Sequence, residues 1–229
     1  MVSLTEQLAK NPIFSYLSER ERLEIARTAI PKKYAEGESL AFYGDVWPYL
    51  FLVTAGSIQA IKESSEGRSL IVLTLEPGEL FWGLAFFEDK APLPVLLQAQ
   101  RESMAYLWSR DQLLPLMLAN GRFSWELSRL MVRRMMRAST IVEELAFKPV
   151  ASRLAGLLLD HYHDAAGEPV PRSLTLDQMA AHIGTTREMV CRLLYRFSDQ
   201  ELIHITRTEF VLNDKSGLIQ LRGQDADSV

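Results

Sequence analysis

Cysteine is almost missing from this chain of 229 residues, in which Cys191 is the single one. One thiol excludes an internal disulfide, a cysteine-rich zinc site and a cysteine-ligated iron–sulfur cluster, and it fits a reducing compartment. Long apolar runs are also absent, since no stretch approaches the roughly 20 residues that span a bilayer, and the N-terminus has no pattern of a secretory signal. We therefore expect a cytoplasmic protein with no membrane partner.

An excess of positive charge is lacking as well. The formal net charge is −4, so a surface that binds nucleic acid has to be local rather than global. What the chain does have is a hydrophobic fraction of 48% and a charged fraction of 24%. This is the composition of a folded protein with a buried core.

Two patterns divide the chain. From about Tyr34 to Trp108, short apolar segments alternate with turn residues, which predicts antiparallel strands in a sandwich or barrel. Before this strand-rich segment, Ser18 and Glu21 have the spacing of a capping box and predict the start of a helix. From Arg122 to Phe147 the pattern becomes helical, and Pro149 breaks or restarts that helix.

The long helix carries a narrow apolar stripe. Its apolar residues recur at alternating steps of four and three, which is the a/d spacing of a coiled coil. A stripe this narrow favours packing against an identical helix over packing within one domain, so we expect a homodimer. The predicted interface residues are Leu127, Met131, Met135, Ala138, Val142 and Leu145.

The stretch from Leu174 to Phe197 has the pattern of a helix-turn-helix. Ala180 is small where two helices would cross closely, Gly184 permits the positive φ of the turn, and Val190 is apolar where the second helix packs on the first. Either threonine before Arg187 can cap the second helix. The sequence therefore predicts a recognition helix that enters a major groove.

The outward face of that helix carries the chemistry of base reading. Arginine can donate two hydrogen bonds to guanine, and a carboxylate can accept one from cytosine. The predicted DNA-contacting residues here are Thr186, Arg187, Glu188, Cys191 and Arg192. From these residues alone, a solvated surface helix remains the alternative interpretation. Cys191 is either a small neutral residue facing the bases or a redox switch.

Two short alternating segments follow the recognition helix, around Ile205 and Phe210. Such a flap is a wing, and Arg207 at its tip is predicted to contact a phosphate. The predicted class is α+β, with an N-terminal antiparallel β-barrel domain over residues 1–121. A long dimerisation helix and hinge follow over 122–147, and a winged helix-turn-helix domain covers 148–229.

From about Asn11 to Leu221 the chain resembles the CRP/FNR family of bacterial transcription regulators. The resemblance rests on glycine-punctuated segments of the barrel, on the end of the long helix and above all on the recognition helix. These segments are Tyr34–Glu38, Gly44–Asp45, Tyr49–Gly56, Pro77–Glu79, Leu145–Phe147 and Thr186–Arg192. It implies a cyclic-nucleotide-binding-like jelly roll as the sensor and an activator that works with RNA polymerase.

The resemblance also implies an operator. Arg187, Glu188 and Arg192 would read a half-site similar to TGTGA, while Thr186 would contact phosphate. A homodimer would bind two such half-sites in a palindrome, about one helical turn apart. Arg187 resembles the cyclic-AMP-type members of the family rather than the fumarate–nitrate branch.

The sensor departs from the family's nucleotide binders. Where they hold the ribose and cyclic phosphate with a Gly-Glu pair and an Arg-Ser or Arg-Thr pair, this chain aligns Trp82-Gly83 and Leu93-Pro94. An unpaired buried phosphate costs several kcal/mol, so cyclic AMP and cyclic GMP are disfavoured. The expected effector is a small apolar molecule, or none if the region is plain core. The candidate pocket residues are Phe81, Trp82, Leu84, Phe86, Leu93, Val95 and Ser139.

Other classes find little support in the sequence. The predicted barrel contains no histidine, which disfavours a cupin-type metal site and histidine-ligated haem, although methionine or tyrosine ligation of haem stays open. No phosphate-binding loop, catalytic triad or Gly-rich dinucleotide turn is present, so we expect no enzyme and no cofactor. A dimeric ligand-binding module with a purely structural helix-turn-helix is the remaining alternative.

Overall fold

The computed structural model describes residues 3–163 and 167–223. The chain forms two compact units, Met1–Lys62 with Leu73–Arg137 and Glu63–Val72 with Ala138–Val229. We call them unit 1 and unit 2 and describe each by itself. Residues 164–166, part of the polar stretch between the long helix and the helix-turn-helix, lie outside the described residues.

The helices of unit 1 begin where the sequence supplies caps. The Ser18 hydroxyl oxygen accepts a hydrogen bond from the Glu21 amide, and the Glu21 carboxylate accepts one from the Ser18 amide, which confirms the predicted capping box. Ser3 starts the first helix in the same way. The helices are α1 (Leu4–Lys10), α2 (Glu19–Thr28), α3 (Arg110–Ala119) and α4 (Gly121–Phe147), and α4 continues into unit 2; short 3₁₀ turns cover Phe14–Tyr16 and Leu84–Phe86.

The strands form an antiparallel sheet in the order β1-β6-β3-β4, with β2 also paired to β6 and β5 to β3. They are β1 (Ile30–Tyr34), β2 (Ser39–Ala41), β3 (Tyr49–Glu63), β4 (Ser69–Leu75), β5 (Leu80–Trp82) and β6 (Leu96–Ser109). The predicted N-terminal antiparallel β domain is confirmed.

The core of unit 1 lies where helices cover one face of the sheet. Trp108 is fully buried there and donates its indole N–H to the Ile25 carbonyl at 2.7 Å. Phe14 packs between Trp108 and Phe123, with ring centroids 5.6 and 5.5 Å away. Along β3, all four residues from Leu50 to Val53 are buried, so both faces of this strand are covered.

Most elements of unit 2 follow a break in the chain at Pro149. Helix α4 ends at Phe147 and α5 starts at Val150, as the proline predicts. Its further elements are α5 (Val150–His161), β7 (Val170–Pro171), α6 (Leu176–Ile183), α7 (Arg187–Asp199), β8 (Ile203–Ile205), β9 (Glu209–Leu212) and α8 (Lys215–Arg222). The core of the unit includes Leu158, Phe197 and Phe210, each with no exposed surface.

The wing has one more strand than we predicted. Strand β9 lies between β8 and β7, and Val170 and Pro171 of β7 pair with Phe210 and Glu209. Behind this sheet the ring of Tyr162 stacks on Phe210 with centroids 4.2 Å apart. The two strands around the wing tip are confirmed, and β7 anchors them to the segment that leads into α6.

Candidate nucleic-acid interface

The turn between α6 and α7 has the geometry that its glycine predicts. Gly184 is left-handed, with φ 62° and ψ 49°, and its amide and that of Thr185 both donate to the Ala180 carbonyl. A Cβ at this position would lie 2.9 Å from Cδ2 of Leu145. The guanidinium of Arg153 donates to the Ile183 carbonyl at 2.6 Å and satisfies the end of α6. Two contacts therefore hold the turn: Leu145 packs beside Gly184, and Arg153 binds the carbonyl of Ile183.

The start of α7 is capped by a residue predicted to face DNA. Thr186 is the N-cap, and its hydroxyl oxygen accepts from the Met189 amide at 3.3 Å. Hydrogen bonds from the Glu188 backbone amide and from the Thr186 hydroxyl lower the pKa of the Glu188 carboxyl, and the charges of Arg187 and Arg192 add to this effect. Glu188 therefore remains a carboxylate and can accept a hydrogen bond from a base.

The side chains that are predicted to contact DNA bases lie together on one face of α7. Arg187, Glu188 and Arg192 are exposed, Cys191 is partly exposed, and all four line a shallow cleft of about 430 Å³. The inward face is closed, since Val190 is fully buried. Tyr195 lines the same cleft and is 70% exposed, and we did not predict it. Tyr195 follows Arg192 by three residues, which places both on one face of a helix, so the sequence could have indicated it.

A second cleft joins the wing to the start of α6. It measures about 410 Å³, and Arg172, Arg187 and Arg207 line it together with Asp177. Arg207 lies at the wing tip, where the Thr206 amide and hydroxyl bind the backbone of Glu209 at 2.9 Å each. Arg172 and Asp177 were missed, because nothing in the local sequence indicates that the wing and α6 meet.

The predicted seam on α4 is partly exposed. Met135 is 67% exposed, Val142 65% and Leu145 39%; Ala138 is also exposed, and Met131 is half-buried. Leu127 differs, because it belongs to the core of unit 1 and is only 1% exposed. Its side chain is already covered within the protomer, so we leave it out of the seam.

The candidate pocket residues of the sensor lie mostly inside unit 1. Phe86, Leu93 and Val95 are buried, Phe81 and Trp82 are half-buried, and Leu84 is exposed on a 3₁₀ turn. Ser139 is exposed on α4 in unit 2. Six of the seven candidate pocket residues therefore belong to unit 1, and Ser139 does not.

Backbone fills the space beside Gly83, the residue that is predicted to replace the family's ribose-binding glutamate. A Cβ at Gly83 would lie 1.8 Å from the carbonyl oxygen of Trp47. The Trp47 ring in turn contacts Phe51 at 5.5 Å between centroids, and Phe51 contacts Phe81 at 5.8 Å. Trp47, whose backbone closes the space at Gly83, thus belongs to a row of aromatic side chains.

Within residues 3–163 and 167–223, no cluster of three or more histidine, cysteine or acidic side chains is arranged to hold a metal ion. A search of the same residues for a helix both long and apolar enough to cross a membrane finds none.

Two family models match this chain. The Crp-like helix-turn-helix domain matches residues 152–221, which contain the turn, the recognition helix and the wing. The cyclic nucleotide-binding domain matches residues 31–120, which contain the strands of unit 1. The chain belongs to the CRP/FNR family of transcription regulators. Members of the CRP/FNR family bind DNA, typically act as dimers and are not enzymes.

Curated relatives support this assignment over most of their length. The cAMP-activated global transcriptional regulator Vfr of Pseudomonas aeruginosa is 26% identical over 185 residues, which cover 76% of this chain and 85% of Vfr. The cyclic AMP receptor protein of Thermus thermophilus is 24% identical over 201 residues, covering 85% and 89% of the two chains.

A solved structure agrees on the fold. The c-di-GMP-responsive global regulator CLP of Xanthomonas campestris superposes with a TM-score of 0.71 at 20% identity, covering 85% of this chain and 99% of CLP. The α+β class with an N-terminal sheet domain and a C-terminal helix-turn-helix is thereby confirmed for this member of the CRP/FNR family.

Proposed function

We propose that this protein is a homodimeric transcription regulator that reads a TGTGA-like palindrome with α7. The observation that carries the proposal is the common outward face of Arg187, Glu188 and Arg192. The two guanidinium groups can donate to guanines, and the ionised carboxylate of Glu188 can accept from a cytosine amino group. Thr186 and Cys191 would lie beside them at the groove.

Phosphate contacts on the DNA backbone would fix the register of the helix. Arg207 at the wing tip is exposed, Arg172 is half-buried, and both line one cleft with Arg187. Their charge is local, which suits a protein whose net charge is −4. Each such contact adds affinity for any sequence and makes binding depend on salt.

The homodimer would form along α4. Met131, Met135, Ala138, Val142 and Leu145 follow the a/d spacing, and the exposed methionine and valine side chains would be covered by a second copy of the helix. A dimer presents two recognition helices to half-sites about one helical turn, roughly 10 base pairs, apart. Loss of the dimer would remove the avidity of two linked half-sites.

The effector of the sensor would be a small apolar molecule, or the sensor would have none. The carbonyl of Trp47 excludes a side chain at Gly83, and the buried Leu93 offers no charge to a phosphate. Cyclic nucleotides therefore lack both their sugar contact and their counterion. By its family resemblance, the regulator would act as an activator with RNA polymerase in the cytoplasm.

Fluorescence anisotropy on labelled duplexes tests the proposal. One duplex carries two inverted TGTGA half-sites with centres about 10 base pairs apart, and the other a scrambled sequence of equal composition. We expect roughly 10³-fold or tighter binding to the palindrome at physiological salt. Equal affinities for the two duplexes would contradict the proposed reading. Calorimetric titration with cyclic AMP should give no heat of binding.

A further inference from the structure

A carboxylate of α6 is paired with the first reading arginine of α7. Asp177 is the second residue of α6, and Arg187 is the first residue of α7. Oδ2 of Asp177 accepts a hydrogen bond from Nη1 of Arg187 at 3.2 Å. The two side chains are 69% and 60% exposed. The ion pair thus lies at the surface that would meet DNA.

The surroundings of this pair are basic. Among the described residues that line the cleft, Asp177 is the one acid, and it lies with Arg172, Arg187 and Arg207. An ion pair this exposed contributes little to stability, because water screens it. Its main physical effect therefore falls on what the Arg187 guanidinium can bind.

The guanidinium has donors for two partners at once. It carries five N–H groups in a fixed planar fork, and a bidentate contact to guanine uses two of them. Arg187 can thus keep Asp177 on Nη1 and turn its remaining donors to a base. The carboxylate also restricts the rotation of the fork, so less freedom is lost when guanine is bound.

Binding of the same guanidinium to a phosphate is a different case. A phosphate that approached Arg187 would come close to the carboxylate of Asp177, and two negative charges repel each other. Non-specific binding depends on such phosphate contacts, whereas specific binding depends on base contacts. The carboxylate of Asp177 therefore weakens non-specific binding more than specific binding.

We infer that Asp177 is a specificity-determining residue, which orients Arg187 for guanine and opposes its binding to phosphate. This inference rests on the proposed function, because it requires that Arg187 reads DNA. Asp177 itself would contact no base. It acts through Arg187 as a positioning residue.

The experiment first selects the operator from a library of randomised duplexes with the wild-type protein. Affinities for the selected duplex and for a scrambled one are then measured over a range of salt concentrations. The variants are Asp177→Asn, Asp177→Glu, Arg187→Ala and the double variant Asp177→Asn/Arg187→Ala. Asp199→Asn is the matched control, since it makes the same change at an exposed position at the far end of α7.

We expect Asp177→Asn to bind the scrambled duplex roughly 3- to 10-fold more tightly and with a salt slope steeper by about one unit. Affinity for the selected duplex should change less. The specificity ratio, which is the affinity for the selected duplex divided by that for the scrambled one, should therefore fall. Asp177→Glu should restore most of the ratio, and Asp199→Asn should leave it unchanged. In the Arg187→Ala background, Asp177→Asn should no longer alter discrimination at the guanine that Arg187 reads.

Two outcomes overturn the inference while leaving the proposed function intact. One is an equal change in affinity for both duplexes in Asp177→Asn. The other is a fall in the ratio that persists in the Arg187→Ala background. Selection of a site unlike TGTGA would overturn the proposed operator alone. Failure of the wild type to enrich any duplex would overturn the proposed function and, with it, the role of Asp177.

Discussion

The carbonyl oxygen of Trp47 lies 1.8 Å from the position that a Cβ at Gly83 would take, so no side chain fits at Gly83 unless the backbone of Trp47 moves. From its sequence, Gly83 is predicted to take the place of the glutamate of the family's nucleotide binders. The Trp47 carbonyl therefore occupies the space that a side chain at position 83 would need.

Replacing Gly83 with alanine should destabilise unit 1. The backbone of Trp47 has to move, and such overpacking costs about 2–3 kcal/mol. For a chain of this size we expect the Tm to fall by roughly 5–10 °C in differential scanning fluorimetry. Gly121→Ala is the control, because nothing lies within 4 Å of its Cβ position. A Gly83→Ala variant as stable as the wild type would refute the close contact.

Replacing Arg187 with alanine should weaken operator binding by ~1–3 kcal/mol and relax selection at one G·C pair. Arg187→Lys should recover little of this loss, because an ammonium group lacks the bidentate fork. Anisotropy titrations on operators with single substituted base pairs measure both effects. Arg20→Ala, an exposed arginine of α2, removes the same charge and should have no such effect. A uniform loss across all substituted operators would mean that Arg187 contacts phosphate only.

A charge on the α4 seam should separate the protomers. Met135→Glu buries a carboxylate at an a/d position, where it has no partner. Size-exclusion chromatography with light scattering should show a monomer, and operator affinity should fall with the avidity of the dimer. Arg133→Glu reverses a charge at an exposed position outside the seam and should stay dimeric. A dimeric Met135→Glu protein would place the interface elsewhere.

Acid should destabilise unit 2 through His182. Burial lowers the pKa of this imidazole below its ordinary value of 6.5, and the charge of His161 lowers it further. The unfolded chain regains the ordinary pKa and binds more protons below about pH 6.5, so stability falls as the pH drops from there towards the lowered pKa. Above about pH 7.5 this contribution should be constant.

Thermal unfolding of the wild type and of His182→Gln between pH 8 and 5 measures this effect. The difference in Tm between the two proteins should depend on pH only below the ordinary pKa. His204→Gln, at an exposed position of β8, is the matched control and should follow the wild type. Parallel curves for wild type and His182→Gln would exclude the proposed contribution.

Features that depend on a few neighbouring residues could be predicted from the sequence. The capping box of Ser18 needs only Glu21, and the turn needs a residue at Gly184 that tolerates positive φ. The wing and the outward face of α7 could be predicted from local patterns, and the family resemblance added the half-site that this face is expected to read. These patterns involve residues that are close in the sequence, so they can be interpreted without knowing which distant segments are in contact.

Contacts between distant segments could not be predicted. Strand β7 is two residues long and exists because it pairs with β9, about 40 positions later in the chain. The pair of Asp177 with Arg187 depends on how α6 crosses α7. The sequence around Gly83 does not predict that the backbone of Trp47 lies against it.

Pairing of β7 with β9 also sets the smallest portion of this protein that can be exchanged with a relative. The Arg172 amide donates to the Thr208 carbonyl at 2.8 Å, so the flank of the wing tip is built from residues on both sides of the helix-turn-helix. A chimera that transplants the recognition helix alone, or the β8–β9 hairpin alone, would mismatch this sheet. Residues 170–212 should therefore be transferred as one cassette when operator preference is re-engineered.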